Sequence, residues 1–236
     1  GLLLPAWVFV SFMLAQLVVA VVAKFLQFVG VSFTSINEAV FNSVLSVAVY
    51  AVTLALAIGG PWLIRKHKTS LEDLGLQRGP DWLDFLWAPA GAIVYFMLSA
   101  AVLILSLALL PFIDHNQVQQ TGFTGISTHL EYAVAFLSLV VIAPVAEEVL
   151  FRGYLLGKLR KSVPVWVAVI LTSLLFALVH FQWNVALDTF ALSVVLCLLR
   201  LFSKSLWAPI LLHAMKNGLA FYLLFINPSL ISTIGG

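Results

Sequence analysis

The sequence predicts an all-α, polytopic transmembrane helical bundle of seven or eight spans. Apolar residues make up 62% of the chain and charged residues only 9%, against about a quarter charged in a soluble domain. The apolar residues gather in long runs, and about 20 residues at 1.5 Å each are needed to cross about 30 Å of hydrocarbon. All seven tryptophans, Trp7, Trp62, Trp82, Trp87, Trp166, Trp183 and Trp207, fall near the ends of these runs, as interfacial belts require. The 236 residues read as a single domain, 1–236, with no soluble appendage, internal repeat or low-complexity segment.

The first span, about Pro5–Phe28, lacks an Ala-x-Ala-like cleavage site and is longer than a signal-peptide core, so it reads as a true membrane segment. The second runs from about Ile36 to Ile64, with Ser35 and Glu38 at capping-box spacing for its start. The loop Arg65–Pro80 carries Arg65, Lys66, Lys68 and Arg78, and its Ser70–Gly75 portion reads as one short capped helix closed by glycine. A third span covers about Trp82–Phe112. Thr128 and Glu131 again have capping-box spacing, ahead of a fourth span at about His129–Leu159. Ser162 and Pro164 mark the start of a fifth, running to Phe181; the sixth covers Val185–Leu201 and the seventh Leu206–Phe225, stopped by Asn227-Pro228. His67, His115 and His129 lie in loops or at span ends and read as ordinary polar residues. Asn184 and Asp188, near the start of the sixth span, read as interfacial caps.

Basic residues number four in Arg65–Pro80, four in Arg152–Ser162 and two in Arg200–Lys204, against Lys24 alone on the opposite side. This asymmetry predicts a cytoplasmic N-terminus and, with seven spans, an external C-terminus. A net charge of +2 confined to short loops points away from a nucleic-acid partner and toward the lipid bilayer. The lone Cys197 excludes an internal disulfide and reads as a small buried thiol.

The chemistry concentrates in Ala143–Lys158, where Glu147, Glu148 and Arg152 follow a long apolar run. A charged side chain at membrane depth costs roughly 2.5–3.5 kcal/mol on insertion scales, so each one asks for a partner or a function. Glu148 and Arg152 are four residues apart, on one helical face and in the favourable acid-before-base order, which predicts a self-neutralising ion pair. Glu147 points about 100° away and is left to face a cavity as a base. Pro144 removes one helical hydrogen bond and can bend the helix there, opening room for water. Taken alone, the stretch equally suits the polar end of a span.

Two later helices supply matching chemistry. His180 follows Phe176 by four residues near the end of the fifth span, and His213 and Asn217 share one face of the seventh. Lys216 points elsewhere and suits snorkelling or pairing with a carboxylate. If these groups converge, Glu147 and an imidazole can take a proton from water, while the other imidazole and the amide stabilise an oxyanion. Glu147 with two histidines could instead ligate zinc, although no His-Glu-x-x-His motif is present. Interhelical hydrogen bonding without catalysis is a third use of such residues. Serine or cysteine nucleophiles have no distinctive flanking pattern here.

Glu147-Glu148-x-x-x-Arg152, Phe176-x-x-x-His180 and His213-x-x-x-Asn217, in this order on three apolar helices, resemble the CPBP family, the CAAX-protease and bacteriocin-processing membrane proteins also called the ABI family. The Leu71–Arg78 segment is also similar to bacterial members. The resemblance implies a membrane endopeptidase of glutamic type in a bacterial or archaeal plasma membrane, acting on a peptide or membrane-protein substrate. It implies Glu147 and His180 as the water-activating pair, His213 and Asn217 as oxyanion donors, Glu148, Arg152 and Phe176 as support, and no cofactor, with zinc held in reserve. Some members have eight spans. The alternatives are a non-catalytic scaffold, regulator or immunity protein using the same cluster, and an ion-coupled transporter, which the lack of an internal repeat makes less attractive.

Overall fold

A computed structural model of the chain describes residues 3–66, 68–115, 117, 119–123 and 125–230; His67 lies outside the described residues. These form eight helices and no strand: α1 (Leu4–Phe28), α2 (Glu38–Ile64), α3 (Leu71–Leu74), α4 (Trp82–Leu109), α5 (His129–Leu159), α6 (Val165–Leu178), α7 (Trp183–Ser203) and α8 (Trp207–Ile226). All but α3 and α6 are long and apolar enough to cross a membrane. The all-α bundle expected from the sequence is present, and the protein is an integral, multi-pass membrane protein. The fifth expected span is a short one. Helix α6 has 14 residues, about 21 Å at 1.5 Å each, and ends at Leu178 ahead of a turn in which Phe181 adopts a φ of 54°.

Side-chain caps set the starts of α2, α3, α4 and α5. The Thr128–Glu131 box is formed as expected, as is the Ser70–Asp73 box of α3, whose end is closed by Gly75 at φ 83°. At α4, Asp81 and Asp84 form a further box. At α2 the cap is Asn37, not Ser35: Asn37 immediately precedes the first helical residue, so its Oδ1 accepts from the N–H groups of Ala39 and Val40 at 3.0 and 3.3 Å. Ser35 sits too far back in the preceding turn for that reach, and Glu38 stands at the first helical position instead of the third.

Helix α5 departs from regular α geometry on both sides of the two glutamates, with π-helical stretches at Leu137–Ile142 and Val149–Leu155 around an α-helical Ala143–Glu148. Such widened turns are frequent at functional sites. Pro144 accounts for one local consequence. Ala143 donates to the Ser138 carbonyl, five residues back, so the next carbonyl in that register, Leu139, would be served by residue 144, and proline has no N–H to give. The side-chain amide of Asn217 on α8 supplies the missing donor, at 2.9 Å from the Leu139 oxygen.

Helices α5 and α7 form the interior, with about half of their most apolar windows buried (50% and 56%), against 17% for α1 and 11% for α4. The outer helices turn residues such as Leu17, Val21 and Met97 outward, as lipid-facing surfaces do. Because lipid tails are as apolar as leucine, close fit rather than transfer from water holds such helices together. Gly91 illustrates this: a Cβ there would lie 2.8 Å from a Leu199 methyl carbon on α7.

The α3 turn docks on α5. A Cβ on Gly153 would lie 3.2 Å from the Leu74 carbonyl oxygen, and one on Gly157 3.3 Å from that of Asp73. The loop is tied further by Leu206 N donating to the Gly75 carbonyl (2.9 Å), the Trp207 indole to the Arg78 carbonyl (2.7 Å), and the Lys161–Asp73 ion pair (3.0 Å). The backbone N–H of Ser70 and the Lys161 ammonium lower the Asp73 carboxyl to a pKa of about 2.

Candidate active site

The three motif-bearing segments, on α5, α6 and α8, meet around Glu147 and Glu148. Glu148 is fully buried and its Oε1 receives two donors, the Arg152 Nη1 and the His213 Nδ1, each at 2.8 Å. The ion pair expected from the four-residue spacing is thus present, and His213 joins it. Phe176, also fully buried, lies under this pair. The Arg152 guanidinium stands 4.3 Å over its ring centre, while Phe151, His180 and His213 meet the ring edge-on. A guanidinium over an aromatic face gains from the ring quadrupole, and more so away from water.

Glu147 looks the other way. Its side chain keeps 17% exposure and lines a cavity of about 170 Å³ together with His180, Tyr50, Phe12, Leu150, Phe151 and Val179. Its Oε2 lies 3.7 Å from the His213 Nε2, and its Oε1 accepts a hydrogen bond from the Tyr50 hydroxyl at 2.5 Å.

His180 owes its orientation to the end of α6. Its backbone N–H bonds to the Ala177 carbonyl at 3.2 Å rather than to that of Phe176, leaving the Phe176 carbonyl without its helical partner. The His180 ring fills the gap, with Nδ1 2.7 Å from the Phe176 oxygen. A carbonyl can only accept, so Nδ1 carries the proton and Nε2 of a neutral ring holds the lone pair.

The structure therefore brings Glu147 and His180 to one cavity and places His213 between the two glutamates. Asn217 stands apart from the cavity wall, with its Nδ2 directed at the Leu139 carbonyl. Among the described residues, no three His, Cys, Asp or Glu side chains are grouped so as to hold a metal ion, so the donor set Glu147, His180 and His213 is not arranged as a zinc shell.

Two features went unread in the sequence. Tyr50 carries no motif; the signal available was a phenol in the middle of an apolar span, where its O–H needs a partner. Asp188 is not a helix cap. Its Oδ1 receives the hydroxyls of Tyr95 (2.6 Å) and Ser99 (2.8 Å) from α4, and its Oδ2 lies 3.3 Å from the Lys216 ammonium on α8. The sequence placed it near a helix start, whereas α7 begins earlier, at Trp183, and Asp188 lies more than a turn inside it. Lys216 does pair with a carboxylate, as its position suggested. Asn184 donates to the Gln117 carbonyl at 2.6 Å instead of capping α7.

The family model described as type II CAAX prenyl endopeptidase Rce1-like matches residues 129–219. That match supports the CPBP resemblance carried by the three motifs. It covers α5 to α8 up to the turn beyond Asn217, and so holds the three motifs and their contacts. Of the curated relatives, the membrane-embedded CAAX protease MroQ of Staphylococcus aureus is 24% identical over 225 residues, 93% of this chain and 88% of that protein. The UPF0177 protein YxdF of Lactococcus lactis is 32% identical over 124 residues, 52% of this chain and 64% of that protein. No solved structure matches the chain. The match of this segment to a CAAX-protease family supports the general activity of a membrane endopeptidase, a hydrolase.

Proposed function

We propose that the protein cleaves a peptide bond of a membrane-associated or CAAX-like protein with water activated by Glu147 and His180. The observation that carries this reading is that both side chains line one cavity, with the His180 Nδ1 committed to the Phe176 carbonyl and its Nε2 therefore the basic nitrogen. Water held between them gives one proton to this pair as its oxygen bonds to the scissile carbonyl carbon; the same proton then passes to the departing amine as the C–N bond breaks.

His213 and Asn217 complete the scheme as oxyanion donors. With its Nδ1 2.8 Å from the Glu148 Oε1, His213 turns its Nε2 toward the Glu147 side. Asn217 has a second amide hydrogen beyond the one on Leu139. A donor of this kind contributes about 2.7–4 kcal/mol to the transition state in a soluble protease. The basic loops put the N-terminus and the Lys158 end of α5 on the cytoplasmic side, and the bacterial sources of the relatives support a bacterial plasma membrane.

The test is cleavage of a prenylated CAAX-type reporter peptide, and of proteins trapped by the inactive variant, using purified protein in liposomes. Glu147→Gln should lose activity by at least about 10²-fold, the usual contribution of a positioned acid–base group, while inserting and melting as the native protein does. Full activity in that variant sinks the assignment. Activity lost on exhaustive chelation and restored by zinc alone would transfer the same residues to a metal mechanism.

A further inference from the structure

The three motifs all lie in the C-terminal half, yet the shortest contact to Glu147 comes from α2. Tyr50 donates its phenol hydrogen to the Glu147 Oε1 at 2.5 Å and lines the same cavity as Glu147 and His180. A glutamate side chain facing a cavity has a soft terminal torsion with a roughly two-fold preference. Unrestrained, it presents either oxygen and swings between them. Short hydrogen bonds to an ionised oxygen are about twice as strong as neutral ones, and this one pins a single oxygen while the other, Oε2, stays on the His213 side at 3.7 Å.

We infer that Tyr50 is a positioning residue for the peptidase reaction: its hydroxyl fixes the Glu147 carboxylate so that Oε2 is the oxygen offered to water. Helix α2 is itself held for this purpose on two sides. The Trp7 indole of α1 donates to the Ala57 carbonyl at 3.1 Å, where α2 widens into a π-helical stretch at Ala55–Gly59. At the other end, Asn37 donates to Glu131 of α5 at 2.7 Å. A helix with few buried residues thus reaches the site through one polar side chain, anchored above and below. The bland alternative is a phenol that has simply found an acceptor.

The inference rests on the catalytic reading above, and two measurements keep them separate. The first is steady-state cleavage of the prenylated CAAX-type reporter. Tyr50→Phe, which keeps the ring and the cavity wall, should lower kcat at least tenfold with KM within twofold of native. An unchanged kcat, or a change in KM alone, overturns the inference. Glu147→Gln is run beside it: a dead Glu147→Gln with a fully active Tyr50→Phe refutes only the positioning role, whereas an active Glu147→Gln refutes the peptidase mechanism itself. The second is a thermal-unfolding cycle of native, Tyr50→Phe, Glu147→Ala and the double variant, which needs no substrate and tests the contact that the positioning role requires. Coupled residues give a double Tm shift smaller than the sum of the single shifts; additive shifts overturn the inference.

Discussion

Glu147 and Glu148 are neighbours in the chain, yet they occupy two different environments. Glu148 is sealed, with Arg152 and His213 on one oxygen and no exposure. Glu147 retains 17% exposure, faces a cavity, and has a tyrosine from another helix on one oxygen. One residue of rotation on a helix is about 100°, enough to turn one carboxylate toward the packed interior of α5–α8 and the other toward α2. The contrast teaches that charge at membrane depth can serve assembly and chemistry in consecutive positions. The assembly half is recognised by a fully buried ion pair, and the chemical half by an unsealed face.

Substitutions that strike one side and spare the other test this division. The largest stability effect is expected from Arg152→Ala, which leaves Glu148 with a single partner in a buried site. Breaking a buried pair costs about 3–5 kcal/mol, so the variant should show a sharply lower Tm and poor recovery from membranes. Glu147→Gln should instead lose activity at native Tm. If Arg152→Ala costs less than about 1 kcal/mol, the sealed half is not structural and the comparison fails.

An intermediate effect is expected from Asp188→Asn. Asp188 gathers Tyr95, Ser99 and Lys216 but remains one-third exposed, so the loss should be about 1–3 kcal/mol, the range for an unsatisfied buried polar partner. Because Lys216 lies between His213 and Asn217 on α8, some loss of cleavage should accompany the lower Tm. Lys161→Ala should do least. That pair is exposed (64% and 39%), and such pairs contribute about 0–1 kcal/mol. Its acid response has a definite sign. The Asp73 carboxyl lies at about 2 in the folded chain against an ordinary 3.8, so its contribution is complete above the higher value and disappears as pH falls toward the lower. Melting curves across that range should show the Lys161→Ala difference shrinking as the medium becomes more acidic; a difference that grows would contradict the assignment.

Much of the architecture was legible because membrane helices announce themselves by length. The Glu148–Arg152 pair was legible because four-residue spacing survives the π-helical stretch that follows. Convergence of His180 and His213 on the glutamates followed from polar groups seeking one another in an apolar medium. What the sequence could not show depended on breaks in helix geometry. The π-helical turns are set by packing, so Pro144 read only as a bend, and the Leu139–Asn217 bond that repairs it is a long-range consequence. Asp188 was misread because α7 begins before the expected boundary. Tyr50 was missed because a lone tyrosine in an apolar span has no periodic signature.

The repair at Pro144 also constrains how the protein is made. An unpaired carbonyl in hydrocarbon costs several kcal/mol, and the donor for Leu139 sits on α8, 78 residues further along the chain. During synthesis α5 reaches the membrane well before α8, so the glutamate helix spends that interval with an open backbone position at the turn preceding its two carboxylates. The same amide that closes it travels on the helix carrying His213. Completion of the backbone and delivery of His213 are one event, and a nascent chain cannot carry the assembled glutamate–histidine cluster until α8 has been inserted.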